Sequence, residues 1–230
     1  MIDLETLRGR LIVSCQAPDG SPLRDPGIIA AIAEAVTIAG AAAVRVNSAA
    51  HVAAVRQRVN VPIIGLEKMT ADGTQWITPT LDRARALVDA GADIVALDAT
   101  HRARPGMPDV DILLPAVRDL GVLVMADIDS FDAGRHAASL GAELVGTTLS
   151  GYTSVPQDRT GEPDIDLVRT LAEWPTPVIA EGRIKTPAEL SAAFQAGAFA
   201  VVVGTSITEP MALTRRYLAA TPTLTKGASA

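Results

Sequence analysis

A lysine and a glutamate stand where apolar runs stop. Lys68 follows Val61-Pro62-Ile63-Ile64-Gly65-Leu66 with only Glu67 between, and Glu181 follows Val178-Ile179-Ala180 and precedes Gly182-Arg183. A lysine at the end of such a run either snorkels to solvent or is held, partly desolvated, in a site. In a site its pKa falls from about 10.4, and falls further beside another cation. The neutral amine then suits proton abstraction next to a carbonyl, or Schiff-base formation. The carboxylate has two matching readings: a structural ion pair with an arginine, or a shuttle that moves protons between oxygens when its pKa rises toward the working pH.

Other polar residues end apolar runs in the same way: Ser14 and Gln16, Arg45 and Asn47, Asp98, Asp127, Thr147 and Thr148, Arg183, and Gly204, Thr205 and Ser206. Their recurrence favours the site reading for Lys68 and Glu181. Asp98 and Asp127 suit either binding hydroxyls or holding a neighbouring cation. The set contains no metal-ligand triad, and no Cys/His cluster has zinc spacing, so no metal site is expected.

The elements that must position these residues show as a repeat. Four times a helix end punctuated by glycine leads into a run of aliphatic residues: Ala39-Gly40-Ala41 before Ala43–Val46, Ala90-Gly91-Ala92 before Ile94–Leu97, Leu140-Gly141-Ala142 before Leu144–Gly146, and Ala196-Gly197-Ala198 before Ala200–Val203. Between them lie strands introduced by a turn or a proline, Val61–Gly65, Gly121–Met125 and Thr176–Ala180, and Leu11–Cys15 brings the count to eight. Each strand precedes a stretch of helical periodicity, at 26–39, 48–58, 80–90, 109–119, 130–140, 164–173, 186–196 and 209–219. Thr80 and Thr186 read as helix caps, the second with Pro187 in the first turn and Glu189 at its third position.

Eight βα units in about 220 residues predict one (β/α)₈ TIM barrel over 1–220, with 221–230 as a disordered tail. An open doubly wound sheet is the alternative, but no Gly-rich dinucleotide turn follows the first strand. In a barrel the C-terminal ends of the strands form one mouth, so the polar strand ends gather there without reference to any relative. Gly182-Arg183 and Gly204-Thr205, after strands seven and eight, fit a phosphate cradle built from backbone N–H groups.

Composition narrows the class. The 230 residues carry a formal charge of −6 and are 48% hydrophobic but only 3% aromatic, so the core must be built from Ala, Val, Ile and Leu. Scattered Lys and Arg give no basic stripe for nucleic acid. No apolar run reaches the ~18 residues of a membrane span. The single cysteine, Cys15, excludes an internal disulfide framework and fits a reducing, cytoplasmic setting. Ile12-Val13-Ser14-Cys15 has the look of a lipoprotein cleavage site, but Asp3, Glu5, Arg8 and Arg10 interrupt any signal sequence, and the run reads as a buried strand. His51, His101 and His136 are not expected to cluster. His51 and His136 read as surface residues on helices, and His101 takes no assigned role.

These stretches resemble the N-acetylmannosamine-6-phosphate 2-epimerases. The matching residues are Leu11–Ala17, Pro62–Gly65 leading to Lys68, Ile77–Thr80, Ala96–Thr100, Met125–Ile128, Gly146–Thr153 and Val178–Ile184, and Gly-Thr-Thr-Leu-Ser-Gly-Tyr-Thr is the most specific string. The resemblance implies a barrel of the ribulose-phosphate-binding type that inverts C2 of a 2-acetamido sugar 6-phosphate after exposing the C1 aldehyde. It implies acid/base work by Lys68, assistance from Glu181, and a substrate site including Gln16, Arg45, Asp127 and Arg183, to which the strand-end reading adds Asp98 and Thr147. Gly182, Arg183, Gly204 and Thr205 are expected at the phosphate. No cofactor is implied, because the adjacent carbonyl is the electron sink, and the expected assembly is a homodimer. The chain departs from the family pattern at Leu66-Glu67-Lys68-Met69, Thr100-His101-Arg102, Asp127-Ile128-Asp129-Ser130 and Ile207-Thr208-Glu209-Pro210. Glu67 is expected to pair with a cation, and Glu209 replaces an arginine, reversing a charge where an anion is expected. Two other readings stand beside the epimerase: a related enzyme with a shifted sugar-phosphate substrate, and a sugar-phosphate-binding protein without turnover.

Overall fold

The computed structural model describes residues 2–154 and 161–222. Beyond residue 222 the expected tail lies outside the described residues. The strands are β1 (Leu11–Cys15), β2 (Ala43–Asn47), β3 (Ile63–Leu66), β4 (Lys68–Ala71), β5 (Thr74–Ile77), β6 (Ile94–Asp98), β7 (Leu123–Asp127), β8 (Leu144–Gly146), β9 (Val178–Glu181) and β10 (Ala200–Val203). Eight of them, all but β4 and β5, pair in parallel and close into a barrel, with β1 between β2 and β10. The helices are α1 (Pro26–Ile38), α2 (Ala49–Arg56), α3 (Leu81–Asp89), α4 (Val110–Arg118), α5 (Phe131–Ser139), α6 (Ile165–Ala172), α7 (Pro187–Gln195), the one-turn α8 (Thr205–Thr208) and α9 (Pro210–Leu218). The TIM-barrel expectation is met, and α8 is an addition to the eight expected helices.

Two apolar layers hold the barrel. Val13, Val44, Val95, Val124, Val145 and Val201 pack outward on the helices, whereas Ile12, Ala43, Ile64, Ile94, Met125, Leu144, Ile179 and Val202 fill the interior. Because side chains alternate along a strand, an interior residue implies a second inward side chain two positions on. Ala43 thus leads to Arg45, Met125 to Asp127, and Ile179 to Glu181, while β8 stops at Gly146 and a 3-10 turn over Thr147–Leu149 follows it. Small aliphatic side chains leave room at the upper layer for one large buried cation, and Arg45 is only 1% exposed.

The third βα connection differs from expectation. The third strand ends at Leu66, and Lys68 opens an antiparallel hairpin, β4–β5, that lies outside the barrel sheet. Its turn is Asp72-Gly73, both with positive φ (49° and 74°), and an Asp-Gly pair between β-prone runs is the hairpin signal that the eight-strand reading leaves out. The hairpin is tied to the barrel through Thr78: its N–H donates to Glu67 O at 2.7 Å, its hydroxyl donates to Ala96 O at 2.7 Å, and the same oxygen accepts from Glu67 N–H at 3.0 Å. Thr78 does this at φ 45°, a costly conformation for a β-branched residue that the three bonds hold in place.

Two caps differ in kind. Thr186 and Glu189 form the full capping box of α7, whereas Thr80 occupies the cap position of α3 without a side-chain bond. Thr78→Val keeps the shape but leaves Glu67 N–H without its acceptor and Ala96 O without a donor. We expect about 1–3 kcal/mol of destabilisation, read as a lower denaturant midpoint at unchanged m-value. An unchanged midpoint would show that the hairpin is anchored elsewhere.

Candidate active site

The open end of the barrel holds a cavity of about 1200 Å³, whose wall includes Ser14, Gln16, Lys68, Thr148, Glu181, Gly182, Arg183, Gly204, Thr205 and Glu209. Seven of the expected site residues, Gln16, Lys68, Glu181, Gly182, Arg183, Gly204 and Thr205, therefore share one wall.

Beneath them lies a buried charge cluster. Arg45 from β2 donates through Nη2 to Asp127 Oδ2 at 2.5 Å and through Nη1 to Glu181 Oε2, and Nη1 also reaches Thr148 Oγ1 at 3.1 Å. The Thr148 hydroxyl sits 2.6 Å from Asp127 Oδ1 and 3.2 Å from Glu181 Oε2. Burial alone would lower the Arg45 pKa, but the Asp127 and Glu181 charges outweigh it and raise the value. Asp127 has no exposed surface. Desolvation raises its carboxyl to about 6, an effect that Arg45 opposes and the Glu181 charge reinforces.

Lys68 is accessible through the open mouth, yet protein atoms surround it on the other sides. Loss of hydration on those sides governs its titration: desolvation, then the Arg45 charge, lowers its pKa, against Glu181, Asp127 and Glu209, which favour the ammonium. Its backbone N–H donates to Asn47 Oδ1 at 2.9 Å, which fixes where the side chain starts. An amine with a lowered pKa above a shared pair of carboxylates is suited to take a proton from carbon and return it.

Four expected binding residues sit elsewhere than on the wall, Asp127 in the buried cluster and three others besides. Asp98 has inward parity, but its carboxylate accepts from Thr100 N–H at 3.0 Å and Thr100 Oγ1 at 2.7 Å and pairs with Arg102, so it organises the loop after β6. The Thr147 hydroxyl donates to Glu181 O at 2.9 Å and accepts from Glu181 N–H at 3.0 Å, clamping the backbone that carries the glutamate. Arg45 lies below the floor and acts through Glu181 and Asp127. Thr148 lines the cavity in place of Thr147, because the chain leaves β8 in a 3-10 turn over Thr147–Leu149, beyond the reach of strand alternation.

Around the rim, Arg183 has φ 58°, donates to Ser150 O at 2.6 Å and Glu162 O at 2.5 Å, and stacks 5.1 Å from the Tyr152 ring. Its guanidinium thereby ties the loops after β8 and β9 together. The departing residues also find places: Glu67 accepts from Arg83 Nη1 at 2.5 Å and turns away from the mouth, as its pairing with a cation requires, while Glu209 joins the cavity wall with Arg24 and Arg216. Arg102 stacks 4.4 Å from the Trp76 ring of β5 and braces the hairpin.

The histidine expectations need correction. His51 is buried, with Nδ1 2.5 Å from Ser48 Oγ and Nε2 2.8 Å from Arg24 O, because α2 packs that face against the α1 side. His101 and His136 do meet, their rings 5.4 Å apart, and His136 Nε2 lies 2.6 Å from Asp111 Oδ1. Cys15 is buried in β1 as expected, and desolvation pushes its thiol up to about 12, which keeps it protonated and inert. Among the described residues no group of three or more His, Cys, Asp or Glu is arranged to hold a metal ion, and no helix is long and apolar enough to cross a membrane.

Residues 29–223 match the family model described as "Putative N-acetylmannosamine-6-phosphate epimerase". A protein of Synechococcus elongatus named "Putative N-acetylmannosamine-6-phosphate 2-epimerase" is 51% identical over 210 residues, covering 89% of this chain and 90% of its own. One of the same name from Caldanaerobacter subterraneus is 44% identical over 219 residues, covering 94% and 92%. The solved N-acetylmannosamine-6-phosphate 2-epimerase from Clostridium perfringens superposes with a TM-score of 0.89 at 38% identity, covering 94% of this chain and 95% of that one. Thiamine phosphate pyrophosphorylase from Pyrococcus furiosus, at 15% identity and a TM-score of 0.60, shares the fold alone. By sequence, by barrel and by the order of its strand-end residues, the chain belongs to the N-acetylmannosamine-6-phosphate 2-epimerase family.

Proposed function

We propose that this protein is a carbohydrate epimerase that inverts C2 of N-acetylmannosamine 6-phosphate to give N-acetylglucosamine 6-phosphate. The observation that carries the reading is Lys68: an amine with lowered pKa, facing the cavity, directly above the Arg45–Asp127–Glu181 cluster. Once the sugar ring is open, the C1 aldehyde acidifies the C2 proton and takes up the charge of the resulting enolate, so no cofactor is needed as electron sink. Lys68 removes that proton as a neutral amine and holds it as an ammonium that Glu181 and Asp127 stabilise. Rotation of the open-chain enolate then presents its opposite face to the Lys68 ammonium, which returns a proton to C2 there and completes the inversion, and Glu181 assists by moving protons at the sugar oxygens.

Recognition is assigned to the wall. Gln16 donates through Nε2 to Ser14 Oγ at 2.8 Å, which leaves its Oε1 buried without a partner, an acceptor matched to the N–H of the acetamido group. Gly182, Gly204 and Thr205, with Arg183 nearby, form the cradle proposed for the 6-phosphate. The proposed setting is the cytoplasm and the proposed assembly a homodimer, for which α9 offers exposed Met211, Tyr217 and Leu218.

Glu209 favours a second reading, in which the same chemistry acts on a differently substituted sugar phosphate. A carboxylate on the wall disfavours an anion that an arginine would attract. Incubation of N-acetylmannosamine 6-phosphate with the protein in deuterated water separates the readings. Deuterium at C2 with formation of the gluco product supports the first, and its absence with that substrate moves the assignment to the second.

Lys68→Ala should lower turnover by about 10²–10⁴-fold and abolish C2 exchange, while the backbone bond to Asn47 and the circular dichroism spectrum persist. Full exchange in that variant would remove Lys68 from the mechanism. The pH profile carries a second expectation. Activity needs the neutral amine, so kcat/KM should rise with pH along a limb that lies below the ordinary lysine value of 10.5. The Glu209 charge favours the ammonium, so Glu209→Gln should move that limb to lower pH and raise turnover near neutrality. A limb that stays in place, or moves up, would show that Glu209 does not act on Lys68.

A further inference from the structure

Three charged groups from three strands converge on one hydroxyl. Arg45 of β2 points Nη1 at Thr148 Oγ1 from 3.1 Å, Asp127 of β7 presents Oδ1 at 2.6 Å, and Glu181 of β9 presents Oε2 at 3.2 Å. Lys68 of β4 is the fourth charge in this neighbourhood, coupled electrostatically to Arg45, Glu181 and Asp127. A threonine hydroxyl has a single proton to give and can accept from the arginine at the same time. It therefore serves one carboxylate or the other, never both.

The geometry selects between them. At 2.6 Å the bond to Asp127 has the length of a strong O–H···O⁻ interaction, and the Glu181 contact at 3.2 Å is long for one. Asp127 is fully buried, whereas the Glu181 side chain keeps 14% exposure toward the cavity. A rotation about χ1, or of the hydroxyl alone, transfers the donor from the buried carboxylate to the one at the cavity wall. Thr148 is part of the cavity wall, so a ligand closing over the mouth also closes over this residue.

We propose that Thr148 is a positioning residue that switches its hydroxyl hydrogen bond between Asp127 and Glu181, so that the charge on the buried carboxylate sets the orientation of the one facing the substrate. When Asp127 is ionised it holds the hydroxyl and Glu181 is left with Arg45 alone. When Asp127 binds a proton it releases the hydroxyl, which turns to Glu181. No covalent bond changes; the step is a switch of one hydrogen bond. The idea rests on the epimerase reading for its catalytic consequence, although the carboxyl titration it predicts belongs to the free protein.

The test compares Thr148→Val, which keeps the shape and deletes the hydroxyl, with Thr148→Ser, which keeps the hydroxyl. The expected result is a kcat about 10-fold or more below the parent for the valine variant, a KM for N-acetylmannosamine 6-phosphate within about 3-fold, and recovery of most of the loss in the serine variant. The hydroxyl lowers the Asp127 pKa, so its removal should move the acid limb of the kcat profile to higher pH. In ¹³C-labelled free protein, the Asp127 carboxyl should titrate at higher pH in Thr148→Val and at the parent value in Thr148→Ser. Thr148→Ala, which places no extra methyl against Arg45, decides the matter if the valine variant loses the fold. Unchanged carboxyl titration, or valine and serine variants with the same kinetics, would overturn the proposal. A parent protein inactive on the sugar phosphate would overturn the epimerase reading alone, since the carboxyl titration still decides the role of Thr148.

Discussion

One guanidinium, buried at the top of the barrel interior, organises everything above it. Removing an arginine from water costs several kcal/mol even after relaxation, and the cost is offset only where carboxylates and hydrogen bonds surround it closely. Asp127 and Glu181 supply that surrounding from strands β7 and β9, on the far side of the barrel from β2. Arg45 therefore acts as a tie across the closed sheet, and it sets the orientation of Glu181. Loss of either carboxylate would leave Arg45 with one ionic partner in place of two, so this cluster links the stability of the barrel mouth to its chemistry. The Thr147 clamp on the Glu181 backbone adds a second constraint on the same residue.

Placed above this tie, Lys68 experiences opposed influences of similar origin. Desolvation and the Arg45 charge disfavour its ammonium, while Glu181, Asp127 and Glu209 favour it. A base that must accept a proton from carbon and give it back benefits from such balance, since a strong bias either way would slow one of the two transfers. The amine is carried by a hairpin outside the barrel sheet, yet that hairpin is not free. Thr78 in a left-handed conformation, the Asn47 contact and the stack of Arg102 on Trp76 hold it against the mouth. Support of the proposed base, Lys68, from a connecting segment fits the way barrels vary their chemistry in loops without altering the core.

Much of this is legible in the residue order. The four glycine-punctuated helix ends, the eight aliphatic runs and the polar residue closing each run lead to a closed parallel barrel and to its mouth. Period two along a strand marks Arg45, Asp127 and Glu181 as inward once one interior residue is known, and Asp72-Gly73 announces the hairpin. Thr148 escapes that rule, since it sits in the 3-10 turn that follows β8. Asp98 shows the limit of strand-end reasoning. It stands at the right height and parity, but Arg102 and the Thr100 hydroxyl, supplied by its own loop, engage its carboxylate.

Residue order suffices for the architecture, for the level at which polar groups collect and for the residue types available for proton transfer, because periodicity and turn chemistry are local properties of the chain. Which charges meet is settled only by folding in three dimensions. Arg45, Asp127 and Glu181 are separated by 82 and 136 positions from the first to each of the others, and only closure of the barrel brings them within bonding distance. Packing likewise buries His51, brings His101 against His136, and turns Glu67 away while Glu209 faces the cavity. Direction and desolvation are products of that packing, and a pKa depends on both.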